Sequence, residues 1–299
     1  MPLTSPINTP NSMSLIAMLV DHVSDPFFAN FARRLDRRAR NLGYKLVLGS
    51  TENDISFMPK LLSAFNNMNV AGYIIAPPSG VDYDLKKLVR NGKPVVILDR
   101  NSADPGPYAV LSDNFKGAYE AIGHFIDNGH EHIALITSTS GQKRISDRRK
   151  GYTAAIDDHQ LSSYIVELPA SASAEEVKTA VHGLLQLNKA VDAVLFADFN
   201  LAFTGLAALR QLKKRIPDQI AVIGFDDNES FQLFAPAITA VVEPMDEMVE
   251  SILQCIAGHT SEPNTKQHRP PIILPTRMVI RSSTRKIRSL PSLSTTINK

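Results

Sequence analysis

Asp21, Asp25, Asp99, Arg100, Arg148, Asp198, Asn200 and Asp226 stand in the loops and helix starts that follow apolar runs. Their types suit recognition of a hydroxyl-rich ligand. Carboxylates accept hydrogen bonds, arginine offers a rigid fork of donors, and an amide does both. Phe27, Phe28, Phe199 and Phe225 lie beside these groups in sequence and could cover an apolar ring face.

The elements that must position these groups are legible around Val191–Asp227. An apolar run, Val191 to Ala197, stops at Asp198 and Asn200. A helix-period run follows through Leu201, Leu206, Leu209 and Leu212, then a break at Pro217, then a second apolar run, Ile220 to Phe225, that stops at Asp226 and Asp227. Two strands joined by a helix lie parallel in one sheet. Ligands of such sheets bind outside the carboxyl ends of the strands.

The same unit recurs along the chain. Strands are expected at Leu15–Val20, Tyr44–Leu48, Val70–Ala76, Pro94–Leu98, Ala109–Leu111, His132–Ile136, Ser163–Leu168 and Ile238–Val242. Helices are expected at about 26–42, 55–68, 84–91, 115–128, 146–159, 174–187 and 244–256, and Asp113 and Asn114 read as caps of the fourth. The strands are near-continuous apolar runs, as in a parallel sheet covered on both faces. A turn-rich break at 104–113 divides the series. The expectation is an α/β fold of two doubly wound parallel-sheet lobes with a ligand cleft between them.

Hydrophobic residues make up 43% of the 299, enough for a full core, and the net charge of +2 gives no general argument for nucleic acid or membrane. The one cysteine, Cys255, sits in an apolar helical pattern and reads as a core residue. The N-terminus has no signal-peptide pattern, so a cytoplasmic protein is expected. Arg33, Arg34, Arg37, Arg38 and Arg40 form a basic helix face, read as solvated. His124, His130 and His132 lack metal-ligand spacing on one element, and no metal or cofactor is expected.

The ordered set Asp25-Pro26-Phe27-Phe28, Val70–Pro77, Pro94–Arg100, Asp113-Asn114 with Gly117, Asn128–Ile133, Arg148 with Gly151-Tyr152, Phe196-Ala197, Pro217–Asp227 and Leu274-Pro275-Thr276 with Arg281 resembles the effector-binding region of the lactose/galactose-repressor family. The resemblance spans about Leu15 to Ser283 and implies a periplasmic-binding-protein-like fold. It implies lobes at 14–112 plus 241–260 and at 113–240 plus 271–283, while the polar composition of 1–13 and 284–299 reads as disordered tails. It further implies a sugar-type effector, a homodimer, and Asp99, Arg148 and Asp226 as effector contacts. Structural ion pairs or caps are the other reading of Asp99 and Arg148. The family's helix-turn-helix belongs before Leu15, where 14 residues cannot hold one, so operator DNA is expected as a partner only through a head outside this chain. Phe199 stands where family members often carry Asn, which points to ring stacking in place of a polar contact.

No Gly-x-Ser-x-Gly elbow, His-Glu-x-x-His motif or phosphate-binding glycine loop occurs. A two-carboxylate sugar hydrolase is the enzymatic alternative, with nothing positive for it. A carbohydrate-binding protein without a DNA role is the nearer one. The expectation is the sensing core of a transcriptional regulator, not an enzyme.

Overall fold

The computed structural model describes residues 13–52, 54–76, 87–99, 107–139, 142–187, 191–261 and 269–284. These form two compact units. The first draws on the stretches 1–117, 140–148 and 243–277, the second on 118–139, 149–242 and 278–299. Arg100, Pro77–Gly80, the break at 101–106 and both expected tails as far as 1–12 and 285–299 lie outside the described residues.

The first unit holds β1 (Ser14–Val20), β2 (Tyr44–Ser50), β3 (Gly72–Ile75), β4 (Val95–Leu98), β5 (Tyr108–Ser112) and β11 (Ile272–Leu274), in the sheet order β11-β5-β4-β3-β1-β2. The second holds β6 (Ile133–Ser138), β7 (Tyr164–Leu168), β8 (Ala193–Phe196), β9 (Ala221–Phe225), β10 (Thr239–Val242) and β12 (Arg277–Val279), in the order β12-β10-β9-β8-β6-β7. Each order reverses beside its first strand, between β1 and β3 and between β6 and β8, and these neighbours are parallel. The carboxyl ends at such a reversal are where doubly wound sheets bind ligands.

Both faces of each sheet are covered, which is why the strands read as unbroken apolar runs. Ile16, Met18 and Val20 of β1 enter one core, while Ala17 and Leu19 enter another on the opposite face. Ala134 and Ile136 of β6 likewise separate from Ile133 and Leu135. Helix α1 (Pro26–Arg40) buries Phe27, Phe28, Phe31 and Leu35 on the first sheet. The chain's second entry to that core is through Met248, Val249, Ile252 and Ile256 of α8 (Met245–Ser261).

Helix α2 (Met58–Asn67) is preceded by a 3-10 turn at Ile55–Phe57. Helices α3 (Asn114–Asp127), α4 (Lys143–Asp158), α5 (Ala174–Leu185), α6 (Phe199–Gln211) and α7 (Ser230–Leu233) complete the set used below.

Two expectations are corrected. The segment 271–283 does not go as one piece to the second unit: Pro275 and Thr276 interrupt it, Ile272–Leu274 pairs in parallel with β5, and only Arg277–Val279 joins the second sheet. A proline has no amide hydrogen to donate to a ladder, so a strand ends there. Helix α4 begins at Lys143, three residues before the expected Ser146, and carries a Lys143–Asp147 ion pair across its first turn.

Candidate functional site

Asp21 is the first residue beyond β1, and Thr51 is held beside it by its backbone N–H bond to Val20 O (3.0 Å). Asp21 is 5% exposed. Its Oδ2 accepts from Gln142 Nε2 at 3.1 Å. Gln142 Oε1 accepts from Arg144 Nε at 3.0 Å, and Arg144 Nη2 donates to Asp25 Oδ2 at 2.9 Å. The other oxygen of Asp25 caps α1 by accepting from Phe27 N at 2.9 Å. A continuous chain of hydrogen bonds thus runs Asp21–Gln142–Arg144–Asp25 at the carboxyl end of the strand where the sheet order reverses. Oδ1 of Asp21 and Oγ1 of Thr51 are buried with no hydrogen-bond partner among the described residues. Burial pushes the Asp21 carboxyl above its ordinary range, against the opposing pull of the Gln142 hydrogen bond and the Arg144 charge.

Phe27 and Phe28 do not present bare faces. Both rings are buried in the first core and meet edge-on, with centroids 5.2 Å apart. The Arg144 guanidinium lies 5.0 Å from the Phe27 centroid and 5.3 Å from that of Phe28. The planar cation occupies the platform the sequence offered to a ligand ring.

Arg148 lies one turn after Arg144 on the same face of α4. Its side chain is fully buried. Nε donates to Asn114 Oδ1 at 2.7 Å, and Nη2 donates to Glu243 Oε1 at 2.6 Å. Asn114 Nδ2 donates to Ser112 O at 3.3 Å, and Ser112 N approaches Asp99 Oδ1 at 3.5 Å. Glu243 carries a side chain as buried as that of Arg148. The ion-pair reading of Arg148 therefore describes its geometry, and the structure ties Asp99 to the same network through Ser112. Asp113, beside Asn114, caps α3 by accepting from Lys116 N at 3.0 Å.

Asp99 and Asp226 share a feature that their positions in sequence suggest only faintly. Each directly follows a strand, β4 and β9, and each has a left-handed backbone, φ 56° and 62°. Such values are uncommon outside glycine, though aspartate tolerates them better than most, and they turn the chain sharply at a strand end.

In the second unit, Asp198 caps α6 by accepting from Leu201 N at 2.9 Å. Phe199 belongs to an aromatic group, its centroid 5.8 Å from that of Phe203 and 5.5 Å from that of Phe231. Asn200 is exposed and Phe225 fully buried. Asp226 is 7% exposed, and its N–H bonds Val241 O at 3.1 Å. Arg281 makes a two-pronged pair with Asp227, at 2.9 and 2.7 Å. Among the histidines, His124 bonds Thr284, His130 pairs with Asp192, and His132 meets the Tyr164 ring edge-on.

Sequence reasoning did not single out Gln142, Arg144 or Glu243, and it read Asn114 as a cap. For Glu243 a signal was present: it directly follows the apolar run of β10 and precedes Pro244, the same strand-end logic that picked Asp99 and Asp226.

A family model described as the periplasmic binding protein-like domain matches residues 122–284. The ribose operon repressor of Halalkalibacterium halodurans is 27% identical over 271 residues, covering 91% of this chain and 80% of that one. The transcriptional regulator DegA of Bacillus subtilis is 28% identical over 282 residues, covering 91% and 81%. The crystal structure of a LacI family transcriptional regulator from Enterococcus faecium with bound ribose superposes with a TM-score of 0.78 at 24% identity, covering 92% and 100%. These relatives are regulators of transcription and not enzymes. Among the described residues no helix is long and apolar enough to cross a membrane.

Proposed function

The chain belongs to the periplasmic binding protein-like domain family, and from that premise we propose that it is the ligand-binding core of a LacI-type transcriptional repressor whose effector is a sugar or sugar derivative. The observation that carries this reading is the half-buried chain Asp21–Gln142–Arg144–Asp25, with a buried Asp21 oxygen and the buried Thr51 hydroxyl left without partners among the described residues. A buried polar atom without a partner costs free energy. A ligand hydroxyl can donate to the one and accept from the other. The ribose named for one relative and bound in one solved structure supports the sugar class.

Asp21, Asp25, Arg144 and Thr51 are assigned to the effector in this reading, with Asp99 as a strand-end acid of the same unit. Arg148, held by Glu243 and Asn114, acts as a preorganised donor group. Shifting a two-state repressor from 1:99 to 99:1 needs about 5.5 kcal/mol of differential affinity. A micromolar effector binds with about 8 kcal/mol in total. Most effector contacts must therefore exist in one state only.

In this reading the protein acts in the cytoplasm as a homodimer, and on operator DNA only where the native protein carries a helix-turn-helix head. For the dimer the support is an apolar patch on the second unit. Leu233 is 86% exposed and Phe203 47%, and the Phe234 ring lies 6.1 Å from that of Phe203.

Calorimetry of the purified chain against pentoses, hexoses, sugar acids and purines tests the effector class. We expect one neutral sugar to bind at micromolar concentration and Asp21→Ala to weaken it at least tenfold. Binding of a purine alone would overturn the class, and an unchanged affinity in Asp21→Ala would overturn the site.

A further inference from the structure

The basic face of α1 is more than a solvated surface. With the facing side of α8 it borders a half-open pocket of about 360 Å³, within the range of small-molecule sites. Arg34, Arg37 and Arg38 line it from α1, Asn41 from just past its C-terminal end, and Asp246, Val249 and Glu250 from α8. Arg34 Nη1 reaches both oxygens of Asp246 at 2.7 Å, and Arg38 pairs with Glu250. Arg37 is exposed and pairs with no described residue, and the Arg34 Nε–H is buried with no acceptor among them. The lining thus carries one guanidinium more than it has carboxylates, plus a donor with nothing to donate to.

We propose that this cavity is a second binding site, for a small phosphorylated metabolite that also carries hydroxyl groups. The phosphoryl oxygens match the guanidinium fork of Arg37 and the idle N–H of Arg34. Asp246, Glu250 and the Asn41 amide are acceptors for the ligand's hydroxyls. The two existing ion pairs do not bar the way: both are substantially exposed, with side chains 33–68% accessible, and such pairs hold weakly and exchange partners readily. The helix C-terminus alone would account for arginines here, since it favours cations. It does not account for an open pocket bordered by acids from a second helix, nor for a buried donor left idle. The site is built on the first unit alone and shares no residue with the effector site proposed above. A ligand there contacts α8, which begins two residues after Glu243.

The test is calorimetry of the full chain with glycerol 3-phosphate, glycerol and inorganic phosphate. We expect saturable binding of the ester and none of glycerol. Arg37→Ala should weaken the ester at least tenfold, while Arg33→Ala, exposed on the same helix but outside the cavity, should leave it within twofold. Absence of saturable ester binding would overturn the site. So would equal losses in the two variants, which would mean diffuse charge attraction, or inorganic phosphate binding as tightly as the ester. Asp21→Ala should leave this binding unchanged, so failure here is separable from failure of the effector site.

Discussion

Arg148 Nη2 lies 2.6 Å from Glu243 Oε1, and neither side chain is reached by solvent, although 95 residues separate them. Taking two charges out of water is costly, and removing one partner leaves the other buried and uncompensated. Arg148→Ala and Glu243→Ala should each lower unfolding free energy by roughly 3–5 kcal/mol. The double variant Arg148→Met with Glu243→Leu should recover most of that stability while still failing to bind effector. Urea unfolding and calorimetry measure the two effects. A single variant as stable as the parent would contradict a buried pair.

Asp21 and Asp192 should respond to acid with opposite signs. Burial raises the Asp21 pKa above its unfolded value, so the ionised group weakens folding at neutral pH. That penalty fades as pH falls through the raised pKa toward the unfolded one. Asp21→Asn should therefore be more stable than the parent at pH 7, with a margin that shrinks toward pH 4. For Asp192, burial also pushes upward, but the hydrogen bonds from His130, Glu131 N and His132 N win and hold it below the ordinary value. Its contribution is present above the unfolded pKa and is lost as pH falls through the folded one. Asp192→Asn should cost stability at pH 7 and progressively less in acid. Denaturant midpoints across pH 3 to 8 decide both, and parallel profiles for the two variants would refute the assignment.

Glycines within helices should split by their surroundings. A Cβ on Gly205 of α6 would fall 2.2 Å from the Phe196 ring, which is fully buried. The gain in helix propensity, about 1 kcal/mol, does not offset a clash of that depth. We expect Gly205→Ala to lose about 1–3 kcal/mol. Gly123 of α3 and Gly183 of α5 meet nothing within 4 Å, so alanine there should stabilise by about 0.4–1 kcal/mol. Thermal melts of the three variants are a direct check.

The apolar patch around Leu233 predicts a concentration-dependent change of mass. In sedimentation equilibrium the parent chain should behave as a dimer, and Leu233→Asp should shift it to monomer without lowering its helix content. A parent chain that stays monomeric at high micromolar concentration would remove the patch from the interface.

Much of this molecule is legible in the residues alone. Runs such as Leu15–Val20 and Ile220–Phe225 can bury every side chain only inside a sheet covered on both faces, and the 3.6-residue stripe of Phe28, Phe31 and Leu35 can bury only as a helix. These are local periodicities, so they fix strands, helices, their parallel connection, and the strand ends where Asp21, Asp99 and Asp226 must fall.

What lies on those ends was decided elsewhere. Gln142 and Arg144 look like ordinary polar residues of a helix start until the tertiary fold brings that start to Asp21 and Asp25. Phe27 and Phe28 looked like ligand platforms until Arg144 covered them. Residues 271–283 were expected in one lobe, but Ile272–Leu274 and Arg277–Val279 join different sheets. In each case the deciding partner is distant in sequence. A side chain's own type states which bonds it can make, and only the packing of remote segments states which it does make. The sequence by itself determined the elements and the chemistry available at their ends. The tertiary structure determined which charges pair with one another and which buried polar atoms keep no partner among the described residues.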